Sequence, residues 1–419
     1  MHRLFVIISL LLVVTPTFAA DSMRWWKGNL HTHSLWSDGD DYPEMITDWY
    51  KKHGYDFLGI SDHNTLQNSN KWVKVAESKG GPVVLEKYLA RFGPQWVEQG
   101  GDNGEKQVRL KQLAEYRGMF EEPGKFLLMQ CEEITDRYKT APVHMNVHNI
   151  QERIAPQGGD SVLEVMQNNV NAVFAQRERT GVPMFPHLNH PNFGWGVTAE
   201  ELAQVKRERF FEVYNGHPIV HNSGDSTHAG TDHIWDIVLT KRLGELGLEP
   251  LFGMGTDDAH HYHKLGPTNS NTGRGWIFVR TTELKPESLI AAMEAGDFYA
   301  SSGVTLKDVQ RQKDRLSLEI AAEPGVTYTT EFIGTCKGYD GRSEPVRTPK
   351  GDAIRVTHRY SGDVGKVLAK VKGTKASYTL KGDELYVRAR VTSSKPKRDS
   401  NEAGDMERAW TQPVVAGMK

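Results

Sequence analysis

Short apolar runs that break off in histidine, aspartate or glutamate recur along this chain, and several lead into a stretch of helical periodicity. Residues 28–30 run into His31-Thr32-His33, with Ser37-Asp38-Gly39 close behind; residues 55–60 end in Ser61-Asp62-His63-Asn64; residues 126–130 end in Cys131-Glu132-Glu133. Farther on, residues 142–150 carry His144 and His148, and residues 182–185 lead into Pro186-His187-Leu188-Asn189-His190-Pro191. Residues 210–214 contain Glu212 and end in Asn215-Gly216-His217, and residues 250–255 end in Thr256-Asp257-Asp258-Ala259-His260. Helices are expected over 42–53, 161–179, 233–246 and 285–295, with Gly54 and Gly181 closing the first two and Ser161 and Glu164 opening the second. Strands alternating with helices imply a mainly parallel α/β sheet. This many units close most economically into a complete or nearly complete barrel, whose chemistry gathers at the C-terminal ends of the strands.

On a strand, residues two apart point to the same face, so His31 and His33 can aim both imidazoles at one point. Taken alone, the pair reads equally well as two surface histidines. The other strand ends change the balance, because buried charges cost several kcal/mol each unless paired or bound to metal. A shell of histidine and carboxylate without cysteine suits Zn, Mn or Fe. So many candidate ligands exceed one tetrahedral site and imply two or three divalent ions, with Glu133 as the bridging carboxylate.

The ordered motifs His31-Thr32-His33 with Ser37-Asp38-Gly39, Ser61-Asp62-His63-Asn64, Glu133-Ile134-Thr135, Asn189-His190-Pro191 and Asp257-Asp258-Ala259-His260 resemble those of the PHP (polymerase and histidinol phosphatase) family over residues 27–303. Residues 285–303 resemble its terminal helix and loop. The resemblance implies a distorted seven-stranded (β/α) barrel that hydrolyses phosphomonoesters or phosphodiesters with a metal-bound hydroxide. By motif matching, His31, His33, Glu133 and Asp258 would hold one ion, Glu133, His144 and His190 a second, and Asp38, His63 and His260 a third. His148 shares a strand face with His144, and Glu132 adjoins Glu133; Glu133 is preferred because it directly precedes Ile134-Thr135. His187 and Asp257 are candidates for orienting the ligands, while Glu212 and Asn215 have no assigned part. Asp38 or His260 could protonate the leaving oxygen. Arg274 is a candidate phosphate clamp, or else a loop anchor. His217 and His221 read as ordinary loop histidines near the pocket mouth.

Two segments depart from the minimal family pattern. Residues 66–124 form an insertion of one or two helices, either a lid over the site or a solvated excursion. From residue 304 to 419 short alternating segments separated by turns read as a small antiparallel β-sandwich-like domain, serving either as a cap or as a binding module. The barrel itself is expected over 24–303.

A net charge of −2 over 419 residues gives no field for nucleic-acid duplexes or anionic membranes. Residues 1–19, with an apolar run over 4–14 and small residues after it, read as a cleaved signal peptide and place the protein outside the cytoplasm, secreted or periplasmic, without a stable anchor. Cys131 and Cys336 read as free thiols. Two other functions fit the same residues: an amidohydrolase-like C–N or C–O hydrolase, and a non-catalytic protein that binds polysaccharide or protein. Substrate identity and oligomeric state are not legible.

Overall fold

A computed structural model describes residues 22–102, 104–400, 402 and 404–415; the expected signal peptide lies outside them. Among the described residues no helix is long and apolar enough to cross a membrane. The architecture is mixed α/β. The first strand, Arg24–Asn29, runs parallel to Phe57–Ile60, which runs parallel to Leu127–Tyr138. Ala141–His148 and Phe185–Leu188 follow antiparallel, and Phe210–Asn215 and Phe252–Thr256 complete the run in parallel. The two ends of this run meet: Thr32 forms a parallel bridge to Ala259, His33 N donates to Ala259 O at 2.9 Å, and Asp258 N donates to His31 O at 2.9 Å. The histidine motif and the Asp-Asp motif are therefore hydrogen-bonded neighbours, although more than two hundred residues separate them in sequence.

One expectation needs correcting. The strand begun at Leu127 does not stop at Gln130 but continues for 12 residues to Tyr138 and turns back through Lys139-Thr140. The charges at Glu132 and Glu133 suggested a strand end, yet period-2 alternation lets a strand carry one carboxylate to each face. Cys131 then pairs across the hairpin with His148, Glu133 with Asn146, and Thr135 with His144.

The helices follow the sequence pattern closely. Pro43–Lys52 starts on a proline and gives way to Gly54 at φ 74°. Val162–Thr180 is capped by Ser161, whose Oγ accepts from Glu164 N at 3.1 Å, and ends at Gly181 in the left-handed region. Its Val162, Val165, Met166 and Val170 pack on Val143, Met145 and Leu188 of the sheet, each side chain worth about 1.5–3 kcal/mol of burial. Thr231–Lys241 continues through a π turn over Arg242–Leu246.

The insertion contains the helices Gly81–Phe92 and Leu113–Phe120 and a small sheet of Trp72–Lys74, Gln99–Gly100 and Gln107–Arg109. It is not a solvated excursion. Val75, Val84, Tyr88 and Val108 form one apolar cluster with Leu35, Trp36 and Tyr42 of the loop after His33. The insertion thus buttresses that loop.

On the far edge of the first strand, Trp276–Thr281 and Phe298–Ser301 add antiparallel. Met406–Thr411 pairs with Phe298–Ser301, and Glu384–Pro396, Tyr328–Cys336 and Lys366–Lys372 extend the same sheet. A second antiparallel sheet of Leu306–Gln312, Arg315–Ile320 and Lys375–Thr379 shares an apolar core with it, through Leu316, Leu318, Phe332, Val387 and Val391. The C-terminal β region is therefore hydrogen-bonded into the N-terminal sheet rather than tethered beside it. Both cysteines are free.

Candidate metal centre

Four buried atoms face one another where the ends of the strand run meet. His31 Nε2 lies 3.4 Å from Glu133 Oε2 and 3.3 Å from Asp258 Oδ1; His33 Nε2 lies 3.2 Å from each of the same two oxygens. A tetrahedral ion with arms of about 2.0–2.1 Å requires ligand atoms about 3.3–3.4 Å apart. His31 Nε2, His33 Nε2 and Glu133 Oε2 have no hydrogen-bond partner among the described residues. Burying such atoms unpaired is costly, so this donor set fits a divalent cation.

Two further groupings adjoin it. His144 Nδ1 stands 3.0 Å and His190 Nε2 3.8 Å from Glu133 Oε1, with His190 Nε2 also 3.7 Å from Asp258 Oδ2. On the open side, Asp38 Oδ1 lies 3.2 Å from His260 Nε2 and 3.5 Å from His63 Nε2. His33 stacks between His63 and His260, at ring-centre distances of 4.4 and 4.1 Å. All nine residues named as candidate ligands come together, and Glu133 touches both of the buried groupings.

Hydrogen bonds on the far nitrogens aim the imidazoles. His31 Nδ1 donates to Glu212 Oε1 at 2.6 Å and His260 Nδ1 to the Asp258 carbonyl at 3.0 Å, and His63 Nδ1 is held at 2.5 Å by the Thr135 hydroxyl. The first two bonds leave Nε2 with its lone pair for the site. Asn189 Nδ2 donates to Glu133 Oε1 at 2.9 Å. Asp258 takes φ 48°, a left-handed conformation costly for a residue other than glycine, and it immediately precedes Ala259, the residue that bridges to Thr32.

The electrostatics favour positive charge here. Burial penalises a charged His33, yet the facing Asp258 and Glu133 carboxylates outweigh that and lift it to about 10. Burial also pushes Glu133 and Asp258 upward, but the surrounding histidines hold both carboxylates well below their usual range. His63 and His190, where burial wins, are lowered to about 4.

The remaining sequence candidates fall elsewhere. Glu132 faces the other side of its strand and accepts from Ile154 N at 3.0 Å. His148 lies deeper than His144, against Cys131 and His187. Asp62 accepts from Ser34 N and Ser37 Oγ, both at 2.7 Å, and so shapes the first loop. Asp257 accepts the backbone N–H groups of Gly273, Arg274 and Gly275 and the Tyr50 hydroxyl. Arg274 has its guanidinium on the carbonyls of Gly216 and Gly266, at 3.0 and 2.8 Å, which is the loop-anchoring role and takes the two terminal nitrogens a phosphate clamp would use. His217 sits beside His260 with ring centres 5.4 Å apart, and His221 stacks on Trp195. Glu212 is the residue whose part the sequence left unassigned. It is fully buried and also accepts from His190 N, Asn215 Nδ2 and Thr256 Oγ1.

No family model matches this sequence, and no curated protein does. Among solved structures, a two-domain protein from Bacteroides vulgatus containing a predicted PHP-like metal-dependent phosphoesterase is similar to this chain with a TM-score of 0.38 and 14% identity, over 93% of this chain and 95% of that one.

Proposed function

We propose that this chain is an exported metal-dependent phosphoesterase built on a distorted barrel of the PHP type, using two or three Zn, Mn or Fe ions. The observation that carries the reading is the cage of His31 Nε2, His33 Nε2, Glu133 Oε2 and Asp258 Oδ1, with edges of 3.2–3.4 Å and its nitrogens without other partners. His31, His33, Glu133 and Asp258 would hold the first ion, Glu133, His144 and His190 the second, and Asp38, His63 and His260 the third. Bound ions supply a nucleophilic water at neutral pH and offset charge on the phosphoryl oxygens.

The chain's own residues do the rest. Glu212 and the Asp258 carbonyl fix the imidazole tautomers of His31 and His260, Thr135 holds the His63 ring, and Asn189 fixes the Glu133 carboxylate. Phe193, with its ring 5.6 Å from His144 and 5.1 Å from His190, shields the second grouping from water. In a two-ion state the Asp38–His260 pair, on the open side, is left to protonate the leaving oxygen. Lys79, contributed by the insertion, reaches within 3.3 Å of Asp38 and brings positive charge to the mouth for an anionic substrate.

The commitment of Arg274 to backbone carbonyls favours a second reading, an amidohydrolase-like C–N or C–O hydrolase, because the ligand set serves either electrophile. One experiment separates them: count the metals in the purified protein, then assay Mn- and Zn-loaded forms on phosphomonoesters, phosphodiesters and amides, with His33→Ala as control. Two or three ions with phosphoester turnover lost in the variant is the expected result. Turnover of amides alone would establish the second reading, and a chain that holds no metal would overturn both.

A further inference from the structure

Outside the metal centre, a cavity of 320 Å³ lies between the helix Pro43–Lys52, the first strand and the loop before Trp276. Its walls include Lys27, Trp49, Tyr55, Leu265, Arg274 and Trp276, and none of the nine candidate metal ligands lines it. The volume falls within the range of small-molecule sites.

Three of the polar groups on these walls have a hydrogen-bonding atom left without a partner. The Tyr55 hydroxyl, the Trp276 indole N–H and Arg274 Nε are buried with no partner among the described residues. Tyr55 is 3% and Arg274 4% exposed, so water does not readily substitute. Lys27 Nζ sits 3.9 Å from the centre of the Tyr55 ring and 4.2 Å from that of Trp276, with no ion-pair partner among the described residues. Burial lowers Lys27 to about 8, which leaves it mostly charged near neutrality. The acids nearby are already engaged. Asp257 accepts three backbone N–H groups and Tyr50, Asp56 accepts Lys27 N at 2.8 Å, and Asp399, on the cavity wall itself, lies 3.4 Å from Arg398 beside it on the same wall. Buried donors of one sign gathered in one cavity call for an acceptor. Apolar surface comes from Trp49, whose ring stacks on His53, and from Leu265, 60% exposed at the rim, while His53, Asn271, Thr272, Arg398 and Asp399 complete the lining.

We propose that this cavity is a second binding site, taking a small aromatic anion whose charged group meets Lys27, Arg274, Tyr55 and Trp276 while its ring packs on Trp49 and Leu265. The site stands on these residues alone and does not depend on what the metal centre hydrolyses.

Naphthalenesulfonate is a suitable probe, because a sulfonate is a poor metal ligand. Titrated calorimetrically into the full metal-loaded protein, it should saturate one site per chain, and inorganic sulfate should bind at least about tenfold more weakly, lacking the ring. Lys27→Met should weaken the probe about tenfold or more, and Tyr55→Phe severalfold, with unchanged melting midpoints. His33→Ala should bind it as the parent does. Should Lys27→Met fail to fold, Tyr55→Phe, which deletes only an unpaired hydroxyl, still decides. No saturable binding, equal binding of sulfate, or affinity untouched by Tyr55→Phe would overturn the proposal.

Discussion

His148 Nε2 lies 2.7 Å from His187 Nδ1, and through this contact the interior of the sheet is wired to the candidate metal centre. Cys131 Sγ lies 3.2 Å from His148 Nδ1, His187 Nε2 lies 3.2 Å from Glu212 Oε1, and Glu212 Oε1 lies 2.6 Å from His31 Nδ1. Only one assignment of protons satisfies every link with neutral rings: thiol to His148, His148 to His187, and His187 and His31 both to Glu212. Burial lowers both His148 and His187, which keeps these rings neutral. The line fixes the tautomer of His31 from behind. His187→Ala should therefore weaken metal binding about 10–100-fold, read by chelator competition, while the far-ultraviolet circular dichroism is preserved. Unchanged affinity would reduce the line to packing.

Lys79 and Asp38 are both substantially exposed, at 55% and 40% of their side chains, so their contact contributes little to stability. Its value lies in the field it sets at the mouth. Lys79→Ala should leave the melting midpoint nearly unchanged and raise KM for a phosphoester severalfold at low salt. The difference should shrink as ionic strength rises and the screening length falls to about 10 Å or less. A KM indifferent to the substitution at every salt concentration would remove Lys79 from substrate capture.

Glu44 makes stability depend on pH away from the metal centre. Burial raises its carboxyl from 4.5 to about 7, although hydrogen bonds from Tyr88 and Trp96 oppose the rise. An acid raised in the folded state contributes stability that is fully present below its unfolded value. That stability is lost as pH climbs through the folded value. The loss should therefore run from about pH 4.5 to 7 and amount to roughly 3 kcal/mol. Glu44→Gln keeps an oxygen for Tyr88 and Trp96 and has no proton to lose. Urea melts of the two proteins should diverge between pH 5 and 7, the variant gaining relative to the parent. Parallel curves would show that Glu44 titrates normally.

Much of the candidate centre was legible as a cluster because its residues sit in short, contiguous motifs: His31 and His33 share a face, and Asp258 and His260 follow a glycine-rich apolar run. The choice of Glu133 over Glu132 and of His144 over His148 turns on strand geometry. Alternation sends Glu132 to the opposite face, and cross-strand pairing sets His148 one step deeper, beside Cys131. Glu212 was invisible as an orienting group because its partners His31, His190 and Thr256 come from other strands. Arg274 resembled a clamp because sequence shows a cation after a metal motif but not the carbonyls of Gly216 and Gly266 that occupy it. The hairpin of Leu127–Tyr138 with Ala141–His148 was hidden by its own charges. The union of the C-terminal β region with the main sheet rests on pairing between Phe298–Ser301 and Met406–Thr411, which only the assembled chain reveals.

That union is reinforced by a buried charge network. Arg388, 0% exposed, donates Nε and one terminal nitrogen to Asp236 at 2.8 and 2.6 Å, and its terminal nitrogen also lies 2.6 Å from Asp232. Both aspartates stand on the helix Thr231–Lys241, while Arg388 stands on the strand Glu384–Pro396. The Tyr386 hydroxyl donates at 2.9 Å to Asp236 Oδ1, the oxygen that accepts from Arg388 Nε. Removing Asp236 leaves the buried Arg388 guanidinium half-paired, on Asp232 alone, whereas replacing Asp236 and Arg388 together with apolar groups leaves Asp232 paired to Arg390. Asp236→Ala should then cost about 3–5 kcal/mol in denaturant unfolding. Arg390, which is 28% exposed and pairs with Asp232 and Glu331 at 2.5 and 2.7 Å, should cost distinctly less as Arg390→Ala. The double variant Asp236→Leu with Arg388→Met should recover most of the single-variant loss, because the desolvation penalty of both ions disappears with them. If the double variant is instead no more stable than Asp236→Ala, the network's geometry, rather than the avoidance of a stranded charge, holds the helix to the β region.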